Sequence, residues 1–342
     1  MKGFDLAKRL CIPLLVFLLG GCKNNTDTPD VSGIRAELSV KRFEKELFSL
    51  DSTRFNTELD KLQAANPNFG ENFVFRILGA DPKWSPDSVS GYVHGFVKAF
   101  KNVYDSSQAV FKDFTPYLNE IRQALRFLKY YFPDYKAPVK VITYIGPLDG
   151  FGDILTDDAL IIGLHQHLGR NFSLYSSGLV QETYPGYLSS RFEPGYIVIN
   201  CMKNIISDMY PEKMEDKPLV QQMVEKGKRL YVLSKLLPNK EEYQLIGYKK
   251  EQLKDAYSGE RTIWDMFVKN NLLQNIDNSI TKNYVSEGPK TQELGETSPG
   301  NIGSFAGWQI VKKYMQKDPA IKLTQLMNTD AETIFREARY KP

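Results

Sequence analysis

The chain has 342 residues, a formal net charge of +3, 42% hydrophobic residues and 25% charged residues, which is typical of a globular protein. So small a charge excludes the strongly basic surface that holds nucleic acid, and we expect no nucleic-acid partner. A chain of this length can bury a substantial core in one large domain or two smaller ones.

The first 21 residues predict a lipoprotein signal peptide. Three basic residues precede an apolar run over 10–19, which is well short of the roughly 20 residues that a spanning helix needs. The run ends in Leu-Gly-Gly-Cys, which matches the bacterial lipobox and implies cleavage before Cys22 and attachment of lipid, such as palmitate, to that residue. The alternative is an ordinary cleaved signal followed by a chance cysteine. Cleavage removes three positive charges and one negative charge, so the mature chain carries about +1.

The three cysteines leave no disulfide within the mature chain. Cys11 belongs to the signal peptide, and Cys22 is used for the lipid anchor. Cys201 remains alone in an apolar stretch, so a cysteine metal cluster is excluded and we expect a small buried hydrophobic side chain there.

Residues 22–33 predict a flexible tether, since they are polar, contain turn formers and show no periodicity. The residues after Cys22, Lys-Asn-Asn, lack the acidity of a surface-export tag, which favours a chain that faces the periplasm. Residues 34–342 are predicted to form a single globular domain of the α+β class, mainly helical around a small sheet near 138–169.

The first half of this domain combines one early strand, several helices and two later strands. Leu38 and Val40 predict a brief strand, and an apolar stripe predicts a helix over Phe114–Phe132. The β-branched segment Val139–Ile145 and the apolar segment Ala159–Gly169 predict two strands that pair with each other.

The second half is predicted to be helical. One helix is expected over Gly195–Tyr210, and a second begins with Pro218 in its first turn. A third is expected to have Ser298 as its N-cap and Pro299 as its first helical residue. Gly303 and Gly307 lie four apart in this helix and reduce its propensity, which indicates close packing against a neighbour.

The order of strands, helix and second long helix is that of the zincin metallopeptidases. Their first helix carries H-E-x-x-H, with two histidines on one face for zinc, and a later helix supplies a glutamate. The segment Gly195–Tyr210 contains no histidine, and a single later glutamate, Glu225, cannot hold zinc. The sequence therefore predicts a degenerate zincin-like scaffold without catalytic residues.

His165 and His167 are the one remaining candidate metal pair. Residues two apart on a strand point the same way, and Asp157, Asp158 or Glu182 would complete a site. The alternative is a surface-facing strand edge with two ordinary imidazoles. We expect no metal, no other cofactor and no catalytic residue.

Several segments resemble the gliding motility lipoprotein family GldB of Bacteroidetes across essentially the whole chain. The segments are the lipobox, VKRFEKELFSLD, LKYYFPDY, RFEPGYIVINCMKNI, VEKGKRLYVLSKLLP and PGNIGSFAGWQIVKKYM. The family's relatives include predicted zinc peptidases, in agreement with the emptied scaffold, and the family supplies no catalytic residues.

The resemblance implies a lipid-anchored envelope protein that supports gliding or the type IX secretion machinery through contacts with other envelope proteins. The strongest matching segments contain the candidate interaction residues Gly227, Lys228, Gly303, Gly307 and Trp308. Two alternatives stay open at this point. One is a divergent metal-dependent hydrolase or peptidase that uses His165 and His167. The other is a carbohydrate- or peptidoglycan-binding module that uses exposed tyrosines.

Overall fold

A four-stranded sheet organises the fold in the computed structural model, which describes residues 28–342. The strand order is β1-β2-β4-β3, with parallel pairs β1–β2 and β2–β4 and an antiparallel pair β4–β3. The strands are β1 Ser39–Arg42, β2 Lys140–Tyr144, β3 Ile154–Leu155 and β4 Ala159–Gly163. The expected early strand and the expected pairing of the two apolar segments are confirmed. The predicted lipobox and residues 22–27 of the predicted tether lie outside the described residues, whereas Val31 of the tether is 2% exposed and belongs to the core.

Helices account for most of the remaining chain, which confirms the mainly helical α+β class. Those before the second strand are α1 Phe43–Phe48, α2 Phe55–Ala65, α3 Gly70–Asn72, α4 Pro86–Ala99, α5 Lys101–Val110 and α6 Thr115–Tyr131. Those after the sheet are α7 Gly178–Thr183, α8 Gly186–Ser189, α9 Ile197–Met209, α10 Leu219–Leu236, α11 Glu242–Ile246, α12 Lys250–Ser258, α13 Glu260–Lys269, α14 Asn278–Val285, α15 Ile302–Lys317, α16 Leu323–Asn328 and α17 Ala331–Ala338. Within residues 28–342, none of these helices is both long and apolar enough to cross a membrane.

The sheet is covered on both faces, and β2 and β4 are therefore buried along almost their whole length. Alternate residues of a strand point to opposite faces. Val141 and Leu160 therefore join a large core with α6, α9, α10 and α15, whereas Ile142 and Ile161 join a smaller, phenylalanine-rich core with α1 and α2. Residues Val31–Pro342 are held together in this way as one compact unit.

The closest approach between helices is the crossing of α10 and α15. A Cβ atom added at Gly307 would lie 1.7 Å from the Met223 carbonyl oxygen, and one added at Gly227 would lie 2.2 Å from the Gly307 carbonyl oxygen. A Cβ at Gly303 would lie 2.8 Å from the Tyr284 carbonyl oxygen. The expected close packing of Gly303 and Gly307 is confirmed, because only glycine lets these backbones meet.

Two predicted helix starts are wrong. The last long helix begins at Ile302, three residues later than expected, and its N-cap is Asn301 in the left-handed conformation, with φ 59°. Ser298 instead closes the preceding loop, since its hydroxyl bonds the amide and the carbonyl of Thr291. Pro218 is the N-cap of α10 rather than part of its first turn.

Candidate functional site

The two candidate histidines lie just beyond the carboxyl end of β4. That strand ends at Gly163, and Leu164–Gln166 form a 3-10 turn, so the predicted strand does not extend to the histidines. The alternation that would aim both imidazoles the same way is absent. Both side chains are buried rather than at a surface edge, with His165 0% and His167 1% exposed.

His165 is held by two backbone groups. Its Nδ1 accepts a hydrogen bond from the Gly146 amide at 3.0 Å, so its Nε2 carries the proton and donates to the Phe151 carbonyl oxygen at 3.1 Å. Burial, reinforced by repulsion from His167, lowers the pKa of His165 to about 3. The ring is therefore neutral at physiological pH, and both nitrogens are occupied.

The pKa of His167 shifts in the opposite direction because this ring faces a buried carboxylate. Its Nε2 lies 2.9 Å from Asp153 Oδ2, and its Nδ1 lies 3.1 Å from the Glu193 carbonyl oxygen. Both partners accept hydrogen bonds, so the doubly protonated ring satisfies both. Burial would lower the pKa of His167, but the charge and hydrogen bond of Asp153 outweigh it and raise the pKa.

Asp153 connects the loop before β3 to the turn after β4 and to α9. Its carboxylate, 4% exposed, also accepts from the Asn200 amide at 2.8 Å and from the Gly163 backbone amide at 3.2 Å. Asn204 donates to the Asp153 carbonyl oxygen at 3.0 Å. The two asparagines lie four residues apart on one face of α9 and both bind this loop.

The acid beside the histidines is therefore not one of those predicted. Asp158 pairs with Lys140 at 3.3 Å, and the imidazole of His167 is bound by Asp153 rather than by Asp157 or Glu182. Within residues 28–342, no group of three or more histidine, cysteine, aspartate or glutamate side chains is placed to hold a metal ion. Sequence reasoning missed Asp153, Asn200 and Asn204. The sequence feature that could have indicated this cluster is the four-residue spacing of Asn200 and Asn204, which places both side chains on one face of a helix.

An open cleft of about 850 Å³ adjoins this polar cluster. One wall is β3 with its flanks, including Asp153 and Asp157, and the opposite wall is the face of α9 that carries Asn204 and Asp208. Among the described residues β3 pairs only with β4, so its other edge is unpaired. Phe151, 60% exposed, stands at the cleft.

The predicted interaction residues lie inside the protein. Gly227, Lys228, Gly303, Gly307 and Trp308 are all buried where α10 and α15 cross. The Lys228 ammonium is bound by the carbonyl oxygens of Met327 and Thr329, each at 3.1 Å, and by Glu225 at 2.9 Å. These five residues stabilise the helix packing and offer no surface to a partner, which corrects that expectation.

The tyrosines form no continuous exposed face. Among the described residues, those more than a third exposed are Tyr92, Tyr130 and Tyr257. They lie on α4, α6 and α12. Cys201 is 2% exposed and packs in the larger core, in agreement with its expected role as a small hydrophobic residue.

Fold and site together define a mainly helical α+β protein with an internally bonded His–Asp–Asn cluster at one end of its sheet. The family model described as gliding motility protein GldB matches residues 24–342. The chain therefore belongs to the GldB family of gliding motility lipoproteins. No curated protein and no solved structure matches the chain.

Proposed function

We propose that the chain is a non-catalytic envelope lipoprotein that holds an extended segment of a partner protein in the cleft beside β3. Acylated Cys22 anchors it to a bilayer, with the folded domain facing the periplasm. Its partners belong to the gliding or type IX secretion machinery. Family membership supports the motility role, and the lipobox supports the anchor.

The main support for a non-catalytic role is that the polar side chains of the cluster are hydrogen-bonded to other groups of the same chain. Both imidazoles and the Asp153 carboxylate are bonded to other groups of the chain. Asn200 and Asn204 have the four-residue spacing that H-E-x-x-H gives its zinc-binding histidines. Amide side chains bind zinc poorly compared with imidazole, which favours a zincin-like scaffold that has lost its metal.

The cleft has the features of a site for an added strand. The free edge of β3 offers backbone groups to an extended peptide, which is a common way to bind a protein segment. Asp134, Asp157 and Asp208 line the cleft with a single lysine, Lys136, while the buried Asp153 carboxylate at its wall is already paired with His167. This excess of negative charge favours a segment that contains lysine or arginine.

Site-specific photo-crosslinking in a gliding host tests the cleft. With p-benzoylphenylalanine in place of Phe151, we expect a discrete crosslinked partner. The same probe in place of Val268, which is 48% exposed on α13, is the matched control. Asp157→Asn combined with Asp208→Asn should weaken the Phe151 crosslink, whereas Asp265→Asn on α13 should leave it unchanged. Equal crosslinking at both probe positions would refute docking in the cleft.

Further measurements address the anchor, the chemistry and carbohydrate binding. Cys22→Ala removes the lipid acceptor and should abolish gliding while the folded domain persists. The purified protein should show no peptidase activity when zinc is supplied. Stoichiometric zinc that disappears in a His165→Ala, His167→Ala variant, together with hydrolysis, would establish the metal-dependent hydrolase instead. Saturable binding to peptidoglycan fragments without any protein crosslink would favour the carbohydrate-binding alternative.

A further inference from the structure

A second, smaller cavity of about 200 Å³ lies between α9, α10 and the start of α15. Its charged lining consists of Lys203 from α9, Lys226 and Arg229 from α10, and the carboxylates Glu212 and Glu287. It shares Ser207 of α9 with the cleft beside β3, but its charged groups are different ones. The volume is below the 300–1,000 Å³ that is usual for drug-sized ligands, so an occupant must be small or must insert only one group.

The carboxylates of the cavity are already neutralised by other cations. Glu212 binds the Lys226 ammonium through both oxygens, at 2.9 and 2.8 Å, and lies 3.7 Å from Arg229. Glu287 binds Arg191 at 2.9 Å. Both carboxylates are more than a third exposed, and each therefore keeps contact with solvent.

Lys203 is left without a counter-ion. Among the described residues its ammonium makes no hydrogen bond and has no carboxylate oxygen within 4.0 Å, although it lines a cavity. Burial and the positive charges of Arg191 and Lys226, opposed by Glu287, lower its pKa to about 8. The cavity therefore holds an ammonium group whose charged form no neighbour in residues 28–342 satisfies.

A second donor in the same cavity is also unsatisfied. The Nε atom of Arg229 is buried and has no hydrogen-bond partner among the described residues, since Glu212 Oε1 lies 3.7 Å away, beyond hydrogen-bond distance. The terminal nitrogens of Arg229 bind Glu225 and the Tyr210 carbonyl oxygen. A buried donor without a partner destabilises the folded state, and a ligand that accepts its hydrogen bond would remove this cost. The first turn of α15, with Asn301 and Ser304 in the cavity wall, adds partial positive charge.

We propose that this cavity binds a phosphate group between the Lys203 ammonium and the Arg229 guanidinium. A tetrahedral oxyanion presents oxygens in several directions, so it can reach donors on α9 and α10 together, and its charge supplies the missing counter-ion. The source is either free phosphate or the head group of an envelope phospholipid, which carries the same chemistry.

Thermal unfolding of the purified full-length mature lipoprotein in detergent tests the proposal. Inorganic phosphate should raise Tm above the value in potassium chloride at equal ionic strength, because a ligand that binds only the folded state stabilises it. Lys203→Met should weaken the phosphate dissociation constant at least about tenfold, whereas Lys203→Arg should retain most of the response. Lys313→Met, which removes an exposed lysine of α15, is the matched control and should respond as the unchanged chain does.

The comparison of two probes identifies the source. A larger response to glycerol 3-phosphate than to inorganic phosphate assigns the cavity to a lipid head group, whereas an equal or smaller response assigns it to free phosphate. Phosphate should also raise the pKa of Lys203, which NMR of the reductively methylated lysine reports. An identical phosphate response in Lys203→Met and in the unchanged chain, or no response beyond that to chloride, overturns the proposal. Neither result bears on crosslinking in the cleft beside β3.

Discussion

Gly307→Ala probes the helix crossing on which the large core depends. The new Cβ atom would lie 1.7 Å from the Met223 carbonyl oxygen and 2.3 Å from the Met223 carbonyl carbon, and both are backbone atoms of α10. A backbone atom cannot turn aside as a flexible side chain can. To restore an ordinary 3.4 Å contact with the oxygen, the two helices must separate by about 1.7 Å along that direction.

The expected destabilisation combines opposing terms. Added volume in a packed core costs typically 1–3 kcal/mol and occasionally more, and this site exceeds the usual case because the obstacle is backbone. Separation of the helices also weakens dispersion contacts of Phe305 and Trp308, which are fully buried beside Gly307. Alanine returns up to about 1 kcal/mol of helix propensity. We therefore expect the free energy of unfolding to fall by about 3 kcal/mol.

Urea denaturation followed by circular dichroism measures this change. Gly95→Ala is the matched control, since Gly95 is helical and exposed, and an added Cβ would meet no atom within 4 Å. This control should unfold at the same or a higher urea concentration. Gly227→Ala should resemble Gly307→Ala, and the double variant should lose less than the sum because both changes affect one contact. A Gly307→Ala midpoint equal to that of Gly95→Ala would refute the reasoning.

Three further predictions concern buried titratable side chains. Because the pKa of His165 falls from 6.5 to about 3 on folding, the unfolded chain binds the extra proton below pH 6.5, and stability should fall by up to about 1.4 kcal/mol per unit of decreasing pH. His165→Gln should flatten the pH dependence of the urea midpoint between pH 6.5 and 5 relative to the unchanged chain. His167, whose pKa is raised on folding, is present in both proteins, so its own contribution cancels in this comparison. Equal slopes for the two proteins would contradict the prediction. Asp153→Asn removes the charge that holds up the pKa of His167, so NMR titration should give a lower pKa, and denaturation should show a loss of about 3–5 kcal/mol. Lys228→Met leaves the buried Met327 carbonyl oxygen and the partly buried Thr329 carbonyl oxygen without their donor and should cost about 2–3 kcal/mol, against no measurable change for Lys313→Met.

The helices and strands that the sequence predicts correctly are those whose pattern of residues lies within one short segment. The helix Thr115–Tyr131 and the strand Lys140–Tyr144 follow from apolar spacing and β-branched residues within a single window. The pair Gly303 and Gly307 indicated close packing because glycine is costly in a helix without such a reason. The sequence does not indicate that Gly227 is their partner, because the contact joins segments about 80 residues apart.

The polar cluster could not be derived in the same way. Asp153 reaches His167 across 14 residues and Asn200 across 47, and only the loop conformation brings these groups together. The start of α15 failed for a related reason. Asn301 takes up a left-handed conformation that leaves Ser298 free to close a loop with Thr291, so a good capping sequence three residues earlier is used for another bond. At both places, side-chain hydrogen bonds between separate segments decide the local structure, and helix and capping propensities alone do not predict it.

The packing around His165 shows how the fold holds this H-x-H sequence. A Cβ at Gly163 would lie 2.7 Å from its Cε1 atom, and one at Gly146 would lie 3.2 Å from the same atom. A Cβ at Gly152 would lie 2.2 Å from the Gln166 side-chain oxygen. These three glycines thus let the loop between β2 and β3 pack closely against the turn after β4. Two backbone groups of that loop, the Gly146 amide and the Phe151 carbonyl oxygen, bind the two ring nitrogens. A metal at either nitrogen would need to displace one of these bonds, so any partner or ligand is expected in the cleft beside β3 or in the Lys203 cavity instead.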